Sequence, residues 1–138
     1  MILHVATATR SKGLIKAIRD DLDANASPGY IEFYTATQPA TGGAAITTQT
    51  KLGTLTLSKP SGTISNGVLT FAAIADDIAA DASGDIAWAR FYDGAGAWVM
   101  DGDCGDTAST ALLRFVSVSA LVGGAIRITS GALTEGNI

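Results

Sequence analysis

The sequence predicts a mainly β protein, an antiparallel β-sandwich or jelly-roll-like barrel with one amphipathic helix near its N-terminus. Three observations lead there. About seven or eight short segments alternate large and small or apolar and polar residues between turn signals. A single segment shows helical spacing. The 138 residues include 16 glycines and many threonines, a composition suited to strands and turns. One core of roughly 100 to 150 residues accounts for the length, so the expectation is one domain over residues 1–138. It divides into an N-terminal arm (1–8), the helix (9–25) and the strands (30–134).

The heaviest apolar stretch, DIAWARFYDGAGAWVMDGDCGD (Asp85 to Asp106), reads as a β-hairpin carrying both tryptophans. Ile86, Trp88, Arg90 and Tyr92 alternate with Ala87, Ala89 and Phe91; Asp93-Gly94-Ala95-Gly96 is the turn, and Ala97 to Asp101 returns. Gly94 and Gly96 supply positions able to take positive φ, which a tight reversal between twisted strands needs. Such a hairpin buries one face and lays the other close to a neighbour.

In chain order, Met1 to Val5 alternates weakly and suits an edge strand or an extended arm. Thr7 or Thr9 can cap a helix running from Arg10 to about Ala24, where Leu14, Ile15, Ile18 and Leu22 share one side. Gly13 inside it costs about 1 kcal/mol relative to alanine. Pro28-Gly29 ends that region. Tyr30 to Thr37 and Leu52 to Ser58 read as strands, separated by a loop, Gln38 to Thr47, long enough to be an exposed or subunit-contacting segment. Asn66-Gly67 turns into a strand from Val68 to Ile74, and DDIAADASGD is a polar connection to the hairpin. Cys104 to Thr110 reads as a turn-rich loop, Leu112 to Ala120 as a strand, and Gly123-Gly124 reverses into Ala125 to Thr129.

Charge excludes several functions. Lys and Arg number 9 against 13 Asp and Glu, the net charge is −4, and the basic residues are scattered, so no nucleic-acid partner is expected. No run of 18 apolar residues predicts a membrane span, and the N-terminus has its apolar run before its basic residues, the wrong order for a secretory signal. Only 16% of residues are charged and the mean hydropathy is +0.30. The resulting surface of Ala, Thr, Ser and Gly suits either coverage by other subunits or a small neutral-surfaced monomer.

No catalytic constellation emerges, and no enzyme activity, metal or cofactor is expected. Asp101-Gly102-Asp103-Cys104-Gly105-Asp106 is acidic enough to suggest a calcium loop. However, the sixth position is Asp106 instead of glycine and the twelfth is Leu112 instead of glutamate, so aspartate-capped turns are the expectation. His4 is the only histidine, and Cys104 lies among aspartates that raise a thiol pKa. Asp76-Asp77 and Asp20-Asp21 read as solvated pairs. Trp88, Tyr92 and Trp98 suit a buried core, or an aromatic platform for sugar; the core is the expectation.

Taken in order, ATATRSKGLIKAI (Ala6 to Ile18), IEFYTATQPA (Ile31 to Ala40), GDIAWARFYDGAGAWVMDGDCG (Gly84 to Gly105) and GGAIRITSG (Gly123 to Gly131) resemble a family of small virion proteins encoded among the head genes of tailed bacteriophages. The resemblance runs along nearly the whole chain; the DGDCGD segment departs from it, where a plainer turn is the pattern. It implies a β-sandwich structural subunit, a decoration or cement protein on the capsid exterior, made in the host cytoplasm. Its partners would be the major capsid protein and copies of itself. Tail, neck or fibre proteins, or a carbohydrate-binding module, are the alternatives. Met1 to Arg10 and the Gln38 to Thr47 loop are then the expected contacts, through Ile2, Leu3, His4, Val5, Arg10, Pro39, Thr41, Ala44 and Ile46.

Overall fold

In the computed structural model the described residues are 13–134. The expected arm, its contact residues Ile2, Leu3, His4, Val5 and Arg10, and the capping threonines lie outside them.

Helix α1, Leu14–Leu22, buries Ile15 and Leu22 against the sheet. Leu14 does not share that face: it is 63% exposed. Gly13 stands at the N-cap and not in the helix interior, where its cost would have applied. Lys16 and Asp20 form an i, i+4 pair, and Arg19 binds the same carboxylate at 2.7 Å. Asp23, the C-cap residue, accepts from the Ser61 backbone N–H at 2.9 Å and ties the helix end to the sheet.

Ten strands follow. They are β1 Tyr30–Tyr34, β2 Lys51–Thr56, β3 Gly62–Ser65, β4 Val68–Phe71, β5 Gly84–Asp85, β6 Trp88–Tyr92, β7 Trp98–Asp106, β8 Leu113–Phe115, β9 Ser119–Ala120 and β10 Ile128–Thr134. Eight make one sheet in the order β2-β1-β6-β7-β8-β10-β4-β3; β5 and β9 form a small second sheet. Among the described residues the protein is mainly β with one short helix, as its sequence predicts. The large sheet is mixed: β7 and β8 run parallel, and every other pair is antiparallel. It curls into a half-barrel whose two halves face each other across the core. Phe33 of β1 meets Phe115 of β8 edge-on at 5.5 Å, and Phe71 of β4 stacks on Phe91 of β6 at 5.6 Å. Ile31, Leu52, Leu55, Leu69 and Leu113 fill the space between them, and α1 packs on β3, β4 and β7.

The hairpin forms as the alternation requires, but its two turn glycines serve different ends. Gly96 takes φ +88, whereas a Cβ on Gly94 would lie 2.0 Å from the Ser27 carbonyl oxygen. Asp93 closes the turn by accepting from the N–H groups of Ala95 and Ala97. The return strand does not stop at Asp101; β7 continues through DGDCGD to Asp106. The period of two decides this, placing Asp101 opposite Arg90 and Asp103 opposite Trp88, while Gly102 lies beneath the Leu112 side chain, 2.4 Å from any Cβ added there. Only Asp106 of the three aspartates caps a turn, accepting from Ala108 N–H. The expected strand from Leu112 to Ala120 is divided: β8 ends at Phe115, and β9 joins the small sheet. Strand β3 pairs with β4 through the two-residue Asn66-Gly67 turn, both residues at positive φ.

Truncating Phe91, which no solvent reaches, removes one of the two aromatic contacts between the halves. Phe91→Ala is expected to cost about 3–5 kcal/mol, read as a lower midpoint in urea unfolding.

Candidate functional site

One face of the hairpin packs the core through Ala89 and Phe91. The other carries Tyr30, Glu32 and Tyr34 of β1, Trp88, Arg90 and Tyr92 of β6, and Asp101 and Asp103 of β7, brought side by side by the strand register. Arg90 is buried, and the side chains of Arg90 and Asp101 are 5% and 2% exposed. The pair is bidentate: Nε donates to Asp101 Oδ1 at 2.7 Å and Nη2 to Oδ2 at 2.9 Å. Nη1 donates to the Ala44 carbonyl at 2.8 Å. Asp101 also accepts from Gly43 N–H at 3.1 Å and from Trp98 Nε1–H at 3.0 Å.

These bonds clasp the 35–50 loop onto the sheet. The indole of Trp98 lies over Gly42 and Gly43, where a Cβ at either would come within 3.1 Å of the ring. Gly43 itself takes φ +72. At the loop base, Thr35 N–H donates to Thr50 O at 3.0 Å, and Gln49 Nε2 donates to Thr37 O at 2.8 Å. Of the expected contact residues in this loop, Thr41 is exposed; Pro39, Ala44 and Ile46 are half-buried.

Beneath the clasp Tyr34 stacks on Trp88 at 4.8 Å, and the Arg90 guanidinium lies 5.3 Å from the Trp88 ring centre. Tyr34 donates to Glu32 at 2.6 Å. Burial, and then that carboxylate, push its hydroxyl pKa well up. Tyr30 stacks on Tyr92 at 4.9 Å. The aromatic residues therefore do not make one open platform. Trp88 is buried as expected of a core residue, Tyr92 is half-buried, and Trp98 is 46% exposed and lies against the loop.

The titratable groups here hold structure. Burial first and Asp103 second push the Cys104 thiol up, away from reactivity. Asp103 accepts from Leu112 N–H at 2.9 Å. Of the pairs expected to be solvated, Asp21 is exposed, while Asp77 accepts from Thr54 and Ala79 N–H, Asp76 meets Arg127 at 2.8 Å, and Asp20 meets Lys16 and Arg19. Among the described residues no three His, Cys, Asp or Glu side chains converge to hold a metal ion, and no helix is long and apolar enough to cross a membrane.

A second surface escapes the sequence reading. Ile78, Val116, Leu121 and Val122 are 80%, 79%, 71% and 66% exposed. They sit on segments 77–83 and 116–127, and four backbone bonds join 77–80 to 123–126: Asp77 N–H to Ile126 O, Ile126 N–H to Asp77 O, Ala80 N–H to Gly124 O and Gly123 N–H to Ala80 O. Ser83 Oγ accepts from Val122 N–H at 2.9 Å. For Ile78, Leu121 and Val122 the only sequence sign was apolar residues beside a double glycine or within a polar run, with no alternation to assign them a face; Val116 fell within the strand expected from Leu112 to Ala120, which ends at Phe115.

No known protein family, curated protein or solved structure matches the chain.

Two outcomes follow from the clasp. Asp101→Asn leaves Arg90 buried without a countercharge and is expected to cost about 3–5 kcal/mol; Arg90→Met with Asp101→Leu is expected to cost less, and urea unfolding of both variants checks the order. Burial alone would raise the Asp101 pKa, but the N–H groups of Arg90, Gly43 and Trp98 outweigh it and hold the carboxyl below its ordinary 3.8. A carboxyl lowered by folding stabilises above its unfolded value and loses that contribution as pH falls through the folded one. The stability gap between wild type and Asp101→Asn is therefore expected to narrow from about pH 6 to about pH 2, as thermal unfolding at each pH measures.

Proposed function

We propose that this chain is a structural component of a tailed-phage virion, a decoration or cement protein that binds the outside of the major capsid shell beside copies of itself. The observation that carries the reading is the set Ile78, Leu121 and Val122, three large apolar side chains held out to solvent on segments bonded to each other. Exposed apolar residues on a tied framework suit a protein contact, because little ordering entropy is lost on docking. The ordered resemblance of four segments to small phage head proteins supports the same reading. A cement protein needs only a modest energy at each site, since a shell repeats the contact many times.

The test is attachment to phage particles lacking the protein, followed by a density map. Ile78→Asp with Leu121→Asp is expected to weaken attachment tenfold or more, about 1.4 kcal/mol or above, while the melting temperature of the free chain stays near wild type because both positions are exposed. Undiminished attachment of that variant removes the apolar surface from the reading. Density on the tail, neck or fibre in place of the head replaces the decoration role by a tail-side one.

A further inference from the structure

Strands β8 and β10 pair only as far as Phe115 and Ile128. Beyond that point the chains separate. Ile126 turns to bond with Asp77, and Val118 O accepts from Ile86 N–H at 2.8 Å. Between them lies an open groove of about 320 Å³ lined by Val116, Ser117, Ser119, Ala125 and Arg127. Its walls are two stretches of backbone outside the ladder, with the apolar side chains of Val116 and Ala125 beside them. A groove of that construction accepts an extended segment as an added strand.

Charge selects the segment. Asp76 binds Arg127 at 2.8 Å and Asp85 accepts from Ser119 Oγ at 2.7 Å, so two carboxylates meet the groove's residues against the one guanidinium of Arg127. A suitable occupant is apolar, able to extend, and basic. Residues 1–12, MILHVATATRSK, carry Ile2, Leu3 and Val5, then Arg10 and Lys12, and no carboxylate side chain, in a chain whose net charge is −4. Fully extended, eight residues span about 26–29 Å, enough to cross from one small domain to the next.

We propose that this groove receives residues 1–8 of a neighbouring copy as an added strand, with Arg10 and Lys12 reaching the surrounding aspartates, so that adjacent copies are linked in series. The supply from a neighbour rests on the reading above, in which copies lie side by side; the groove's preference for the segment does not.

The test uses the purified full-length chain, with a photoreactive benzoylphenylalanine incorporated at Leu3, in an equal mixture of ordinary and ¹⁵N-labelled copies. Cross-links are expected within 116–119 or 125–127, about half of them joining one light and one heavy copy. Val116→Asp is expected to reduce them at least tenfold with unchanged circular dichroism. Cross-links elsewhere, or yields indifferent to Val116→Asp, overturn the groove assignment. Groove cross-links confined to single copies overturn the linkage between neighbours. Neither result bears on particle attachment, which the Ile78→Asp with Leu121→Asp variant reads separately.

Discussion

Strand β6 is buried on both of its faces, and one of its buried residues is an arginine. Trp88, Ala89, Arg90 and Phe91 follow one another with no more than 4% of any of them exposed. A strand covered on both sides is ordinarily apolar throughout. Here the guanidinium must find its partners within the fold, because an unpaired buried charge costs far more than a fold of this size can spare. Asp101 supplies two of the acceptors from the next strand, and Ala44 supplies the third from the 35–50 loop. The loop therefore closes over the sheet as part of satisfying Arg90. Its closure in turn covers the stacked Tyr34 and Trp88.

A buried ion pair adds little net stability over an apolar pair of the same shape, yet it strongly penalises arrangements that separate the partners. That asymmetry fixes the register of the hairpin. A slip of one residue between β6 and β7 would turn Asp101 to the core side and leave Arg90 facing Gly102 or Met100. The aromatic residues cannot enforce this alone, since stacking tolerates small displacements that a bidentate pair does not. The charged pair sets the position, and the phenylalanines on the opposite face supply the burial.

Elements with a clear period or a committed turn were legible in the sequence: the helix, β1, β2, the Asn66-Gly67 reversal and the central hairpin. The second half of β7 was not, because Gly and Asp disfavour strands locally and only the neighbours reverse that, through Arg90 and Leu112. Strands β3, β5 and β9 are too short, at four and two residues, to show a period. The clasp was hidden for a different reason: Arg90 and Ala44 are 46 positions apart, and nothing local to the loop marks its carbonyl as a partner. Trp88 and Trp98 look alike in the alternation, yet one sits between strands and the other at the open edge of the turn, a distinction that depends on what the loop covers.

The same economy of polar groups bears on where recognition resides. The loop expected to reach outward is held down by Arg90, Asp101 and Trp98, and releasing it to bind something else would leave the Nη1 donor of a buried guanidinium without its acceptor. Segments 77–83 and 116–127 face no such conflict. Their backbone bonds join the two segments to each other, leaving Ile78, Leu121 and Val122 exposed without any buried group depending on them. Covering these side chains removes apolar surface from water and breaks no bond already made, at about 25 cal/mol per Å² buried. A contact built there would gain from association what a contact built on the clasped loop would first have to give up, and this difference favours the two segments that read in the sequence as a polar connection and a turn.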